Sequence, residues 1–197
     1  MKRYSLKKSE LKKIIEIFNI FYIDLEPIED ISYLDSGLYS EVYKINNKYV
    51  LKIISSTFDV EIEKFKLIQN KKIKNVANII FIEKLPIKIR DYSFTVIVQE
   101  YMPDKIEQEL IRFKNVLFSI TTHIAKKTFV NDPLYYIKNT MDDEAKEVLT
   151  KIPDGEKFIS DIYKGIKSLV KYQIYPRDIH YANIRKSPTG DYIIIDF

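Results

Sequence analysis

The apolar residues of this chain change their period at Ile31, and that change decides which folds are open to it. Before it, Leu11, Ile14, Ile15, Phe18 and Phe21 recur at helical spacing behind Ser9, a residue able to cap a helix. The acidic, Pro-containing segment from Asp24 to Asp30 breaks that pattern. Beyond it come short β-prone runs, Ile31 to Leu34, Glu41 to Ile45 and Tyr49 to Ile54, with turns at Ser36-Gly37 and Asn46-Asn47. The Asn-Asn pair suits a tight hairpin. Phe58, Ile62, Phe65 and Ile68 then return to helical spacing, and two more strand-like runs follow, Asn78 to Leu85 and Ser93 to Glu100. Three strands, a helix and two strands make a five-stranded sheet with one helix, an α+β arrangement.

After Pro103 the pattern is helical again. Asp104 with Glu107 reads as a capping box opening a first helix, and Asp132-Pro133 opens a second that runs to Leu149. A third spans about Glu156 to Tyr172 through Phe158, Ile162, Ile166 and Leu169. The end, Ile184 to Phe197, reads as a hairpin turning between Ser187 and Asp191.

Composition removes several classes of chemistry. With no Cys, disulfides, thiolate catalysis and Cys-ligated zinc are excluded, and a reducing, cytoplasmic setting is expected. His123 and His180 are the only histidines, too few for a multi-histidine metal site. The balance of 32 basic against 28 acidic residues is spread along the chain, and the densest basic stretch, Lys64 to Lys74, has no Arg. No nucleic-acid partner is expected from it. No run is long enough to span a membrane, and the charged start does not resemble a targeting segment.

Two constellations carry chemistry. The first is Asp35-Ser36-Gly37-Leu38-Tyr39-Ser40-Glu41-Val42, followed by Tyr49-Val50-Leu51-Lys52-Ile53. A glycine at a hairpin tip lets backbone amides approach phosphate oxygens, and a lysine on the next strand supplies a point charge. Alone, Gly37 is an ordinary turn glycine and Lys52 an edge-strand lysine. The second is Tyr175-Pro176-Arg177-Asp178-Ile179-His180-Tyr181-Ala182-Asn183, followed by Ile193-Ile194-Ile195-Asp196-Phe197.

Together these segments resemble the protein kinase-like superfamily: its glycine-rich loop, strand lysine, catalytic loop and the Asp-Phe of its metal motif. The loop is degenerate, since Gly37 keeps only the middle glycine position while Asp35 and Ser40 occupy the others, and Pro176 replaces the family's His. Asp178 to Asn183 and Asn183 to Asp196 fall at the family's spacings.

The resemblance implies a two-lobed fold: an N-terminal helical extension (residues 1–30), an N-lobe with the five-stranded antiparallel sheet (31–102), and a reduced helical C-lobe (103–197) ending at the metal-binding Asp. It implies ATP and Mg2+ as ligands and phosphoryl transfer to a hydroxyl, most simply Ser or Thr of a protein substrate. Gly37, Ser40 and Val42 would cover the nucleotide, Lys52 would hold its phosphates, and Glu63 is favoured over Glu61 as the lysine's partner. Glu100 and Met102 would flank the adenine. Asp178 would orient the hydroxyl, and Asn183 and Asp196 would hold the metal. His180 stands where aminoglycoside and choline kinase relatives also have His, and would meet the γ-phosphate or order its loop. Two alternatives remain: a catalytically weak nucleotide-binding or interaction module with a protein partner, and a small-molecule kinase. Pairing of two copies to cover the lower lobe also stays open.

Overall fold

The first helix, α1 (Lys8–Phe21), lies against a five-stranded antiparallel sheet of order β1-β2-β3-β5-β4. The strands are β1 (Ile31–Ser36), β2 (Ser40–Ile45), β3 (Tyr49–Ser56), β4 (Ile79–Ile89) and β5 (Tyr92–Glu100). A one-turn helix, α2 (Glu63–Lys66), stands between β3 and β4. Then come β6 (Asp104–Lys105), α3 (Gly155–Val170), β7 (Ile184–Lys186) and β8 (Tyr192–Ile194), with β6, β7 and β8 in a second sheet. These elements come from a computed structural model that describes residues 5–21, 26–37, 40–56, 62–105, 154–176, 179 and 183–196. The expected α+β class and five-stranded antiparallel sheet are present. No helix among the described residues is long and apolar enough to cross a membrane.

The chain divides into two compact units, Met1–Lys71 with Asn78–Tyr101, and Lys72–Ala77 with Met102–Phe197. In the first unit, strand alternation sends Tyr43, Ile45, Leu51, Ile53, Val96 and Val98 to one face, where Ile14 and Phe18 of α1 join them in a single buried cluster. The helical stripe of the sequence is therefore the stripe that covers the sheet. Asn19, which interrupts the stripe, accepts the Ile28 N–H at 2.9 Å and so fastens the returning chain.

The cap differs from expectation. The Lys7 carbonyl accepts the N–H groups of Glu10 (2.9 Å) and Leu11 (3.0 Å), so the helix opens at Lys7, not Ser9. Glu10 returns its carboxylate to the Lys7 N–H at 2.8 Å, which is the reciprocal half of a capping box. Its other oxygen meets Arg90 at 2.8 Å, tying α1 to the β4–β5 turn.

The turns follow the sequence. Asn46 and Asn47 take φ of 48° and 54°, left-handed values that Asn tolerates, and Ile45 pairs with Tyr49 across them. The Asn46 side chain also accepts the Glu29 N–H (3.0 Å) and donates to the Pro27 carbonyl (2.8 Å), so one residue both turns the hairpin and anchors the segment before β1.

A second correction concerns Asp104. Rather than opening a helix, Asp104 and Lys105 pair with Lys186 and Arg185 as a short strand. The expected helices over residues 106–153, with Glu107 and the Asp132-Pro133 start, lie outside the described residues. In the second unit, α3 matches the third expected helix and buries Phe158, Ile159, Ile162, Ile166 and Leu169.

Candidate functional site

Within the first unit, the strand register places Val42 opposite Lys52 and Lys52 opposite Ile97. These three therefore share one face of the sheet, the one opposite α1. Lys52 is half-buried there, with Leu51 and Ile53 buried on the α1 side. At the open end of the same hairpin the Gly37 N–H donates to the Ser40 carbonyl at 2.8 Å. A Cβ on Gly37 would stand 2.9 Å from Ser40 Oγ, so the closed turn leaves no room for a side chain there without moving that hydroxyl. Val42 and Lys52 thus share one sheet face, on the hairpin whose open end carries Ser40.

Glu63, the favoured partner of Lys52, is engaged with Lys66. Its side chain is 83% exposed and its carboxylate is 3.7 Å from Lys66 Nζ. Lys66 in turn donates to Glu83 at 3.2 Å, a bond that raises its pKa above the ordinary lysine value. The other candidate, Glu61, lies outside the described residues. Glu100 is exposed at the end of β5, its N–H bonded to the Asn78 carbonyl (3.1 Å), and Met102 is half-buried two residues on.

In the second unit, the hairpin β7–β8 pairs Ile184 with Ile194. One step beyond that pair, the Ile195 N–H donates to the Asn183 carbonyl at 2.9 Å. Asn183 and Asp196 are thereby brought to the same end of the hairpin, both half-buried. The turn at the other end is closed by Ser187 N–H to Asp191 O and Gly190 N–H to Ser187 O, each 2.8 Å. An amide oxygen and a carboxylate make an all-oxygen pair suited to Mg2+, which takes one or two protein groups and fills its remaining positions with phosphate and water. Among the described residues no group of three or more His, Cys, Asp or Glu is placed to hold a metal ion. Asp178 and His180, with Arg177, lie outside the described residues.

The strand that ends at Asp196 is held from two further sides. The segment before β4 runs beside it: Ala77 N–H donates to the Ile194 carbonyl (2.8 Å) and Ile194 N–H to the Asn75 carbonyl (3.0 Å). The Asn75 amide adds a bond to the Tyr192 carbonyl at 3.0 Å. From α3, the Asp161 carboxylate accepts the Tyr192 N–H at 3.2 Å. Lys157 bridges Asp161 and Asp191. Although burial works against its charge, the hydrogen bonds to Asp161 and Asp191 leave the Lys157 ammonium above the ordinary lysine pKa. Bonds from Lys157 and then Thr189 hold the Asp191 carboxyl below the usual range.

Sequence reading missed Glu41, Asn75 and Asp161. Asp161 had a visible signal, because it falls between Phe158 and Ile162 on the apolar stripe of its helix, with Lys157 one turn before it. Asn75 had none, since its partner Tyr192 is distant in sequence, and the bonds of Glu41 to Ser5 and Leu6 were hidden for the same reason.

Compared with known proteins, the chain matches no family model and no curated protein.

Proposed function

We propose that the chain is an ATP-dependent phosphotransferase of protein kinase-like, two-lobed fold, transferring a phosphoryl group to a hydroxyl of a protein substrate in the reducing cytoplasm. The observation that supports this reading is the hairpin end, where the Ile195 N–H bonds to the Asn183 carbonyl and Asp196 is the next residue along the chain. The spacing of Asn183 and Asp196 from Asp178 is the one the resemblance requires. The pairing of Val42 with Lys52 on one sheet face supports it further.

In this reading Lys52 holds the α- and β-phosphates, Val42 covers the base, and the backbone from Glu100 to Met102 meets the adenine edge. Asp178 orients the acceptor hydroxyl and takes its proton, and His180 meets the γ-phosphate or orders the loop. Asn183 and Asp196 hold Mg2+, which supplies charge neutralisation on the phosphates.

Calorimetric titration of ATP with and without Mg2+ tests the reading, repeated on Asp196→Asn and followed by a phosphotransfer assay on Asp178→Ala. Binding should depend on Mg2+, the dependence should vanish in Asp196→Asn, and turnover should fall at least about a hundredfold in Asp178→Ala. Binding indifferent to Mg2+ in the wild type, or transfer that survives Asp178→Ala, would overturn it.

The exposed Glu63, engaged with Lys66, favours a second reading: a nucleotide-binding interaction module without turnover. Such a module gains about 2.7 kcal/mol of stability at a hundredfold excess of MgATP over its dissociation constant, while no ADP is released.

A further inference from the structure

Helix α3 runs along β8, and three successive positions of one helix face touch that strand. The Phe158 ring meets the Tyr192 ring edge-on with centroids 4.9 Å apart. Asp161 accepts the Tyr192 N–H. At Gly165, an added Cβ would stand 2.8 Å from the Asn75 carbonyl oxygen and 2.9 Å from Ile194 Cδ1, so the helix backbone itself abuts the strand.

Among these, Asp161 is the anomaly. It is 4% exposed, on a helix face otherwise lined with Phe158, Ile162 and Leu169, where an apolar side chain would pack at lower desolvation cost. Its charge is compensated by Lys157 and, at 3.7 Å, by Lys164. What the carboxylate adds over an apolar residue is direction: it accepts one particular backbone N–H. Slipping β8 by one residue would turn that N–H away and send Ile194 to the opposite face. A slip of two would move Asp196 by about 6.6 Å along the strand. One register alone satisfies both Asp161 and the Gly165 contact.

We infer that Asp161 is a positioning residue, which with Lys157 and Asp191 fixes the register of β8 against α3 and so sets where Asn183 and Asp196 present their oxygens to a metal. The metal itself rests on the function proposed above; the register does not. Lys157 strengthens the device because it joins the helix to the hairpin turn through Asp191, clamping both the strand and the loop that leads into it.

The test uses the full-length chain and the variant Asp161→Asn, which keeps the shape and an acceptor but removes the charge. Two quantities are measured: amide hydrogen exchange at Ile195, whose N–H marks the Asn183–Asp196 juncture, and the Mg2+ dependence of ATP binding by calorimetry. Exchange at Ile195 should accelerate more than at Ile53 or Val96, which belong to the other unit. The apparent Mg2+ affinity should weaken about tenfold, while binding of ATP without metal is unchanged. Should Asp161→Asn fail to fold, Lys157→Met, at a side chain 40% exposed, tests the same clamp with the same direction of change. A lower melting temperature with Ile195 exchange and Mg2+ dependence both unaltered would overturn the inference, leaving Asp161 a merely structural ion. If wild-type ATP binding ignores Mg2+, the proposed function fails, and the exchange measurement alone decides the positioning role.

Discussion

Lys52 lies on a strand and Asp196 two residues past the end of one, and the two strands are secured in different ways. The Lys52 strand lies inside a five-stranded sheet whose reverse face is closed by α1 through Ile14, Phe18, Leu51, Ile53, Val96 and Val98. Its position follows from apolar packing, which is insensitive to direction and tolerant of small slips in any single contact. The strand before Asp196, β8, is only three residues long; directed polar contacts from Asn75 and Asp161 hold it, and the Asn183 carbonyl holds Ile195 just beyond it. All three of its residues are buried, so apolar burial by itself does not distinguish one register from a slipped one. A carboxylate and an amide that each accept or donate at one atom supply the missing specification, at the cost of burying them.

That contrast predicts where each unit is fragile. The largest effect belongs to the apolar unit: Phe18→Ala should cost about 3–5 kcal/mol in urea unfolding, because Phe18 is fully buried and packs edge-on against Phe81 at 5.6 Å between centroids. A loss below about 1 kcal/mol would mean that α1 is an appendage and that the sheet closes its face without it. In the second unit the comparable break comes from adding an atom rather than removing some. Gly165→Ala must move either the Asn75 carbonyl or α3, and overpacking of this kind should cost about 1–3 kcal/mol. Its signature should be local, with faster amide exchange at Ile194, whose N–H donates to that same Asn75 carbonyl. A variant as stable as the wild type, with Ile194 exchange unchanged, would show that the helix does not bear on the strand.

The same contrast explains what the sequence discloses. The five strands, their Asn46-Asn47 turn, α1 and α3 were legible because each is encoded by neighbours: alternation for the strands, a helical stripe for the helices, and two residues that tolerate positive φ. The helix opening was misread by two residues because Ser9 is the better capper by type, whereas the fold chose Lys7 so that Glu10 could serve both the Lys7 N–H and Arg90. Asp104 and Glu107 match a capping box locally, but Asp104 finds its backbone partner at Lys186, far along the chain. Of the candidate site, hairpin register puts Val42 opposite Lys52, and the Ile195–Asn183 bond closes the hairpin end next to Asp196. For Glu63 the structure gives the contact with Lys66, since helical spacing fixes which face a residue shares but not how the helix is turned toward a neighbouring strand. Asn75 acts through Tyr192, and Glu41 in part through Ser5 and Leu6, partners that no local pattern announces.

Glu41 also provides the smallest test, because there the first unit relies on a buried polar contact, as β8 does on Asp161. Buried on the α1 face of β2, it accepts the Leu6 N–H at 3.0 Å and the Ser5 hydroxyl at 3.1 Å, joining the chain before α1 to the sheet. The Tyr43 hydroxyl donates to its other oxygen. Burial first, and the bond to Glu41 second, push the Tyr43 pKa well above its ordinary value of 10.0. A group whose pKa is raised by folding contributes stability that is whole below its unfolded value and fades as pH climbs above it toward the folded one. The wild type should therefore lose stability from about pH 10 upward in urea unfolding series, whereas Tyr43→Phe, lacking the ionisable hydroxyl, should show a shallower alkaline decline. At neutral pH that variant should lose only about 1 kcal/mol, the worth of one hydrogen bond to a carboxylate that keeps two other donors. Parallel alkaline profiles for the two proteins would mean that Tyr43 does not titrate across unfolding, and that the tie between Glu41 and the sheet rests on Ser5 and Leu6 alone.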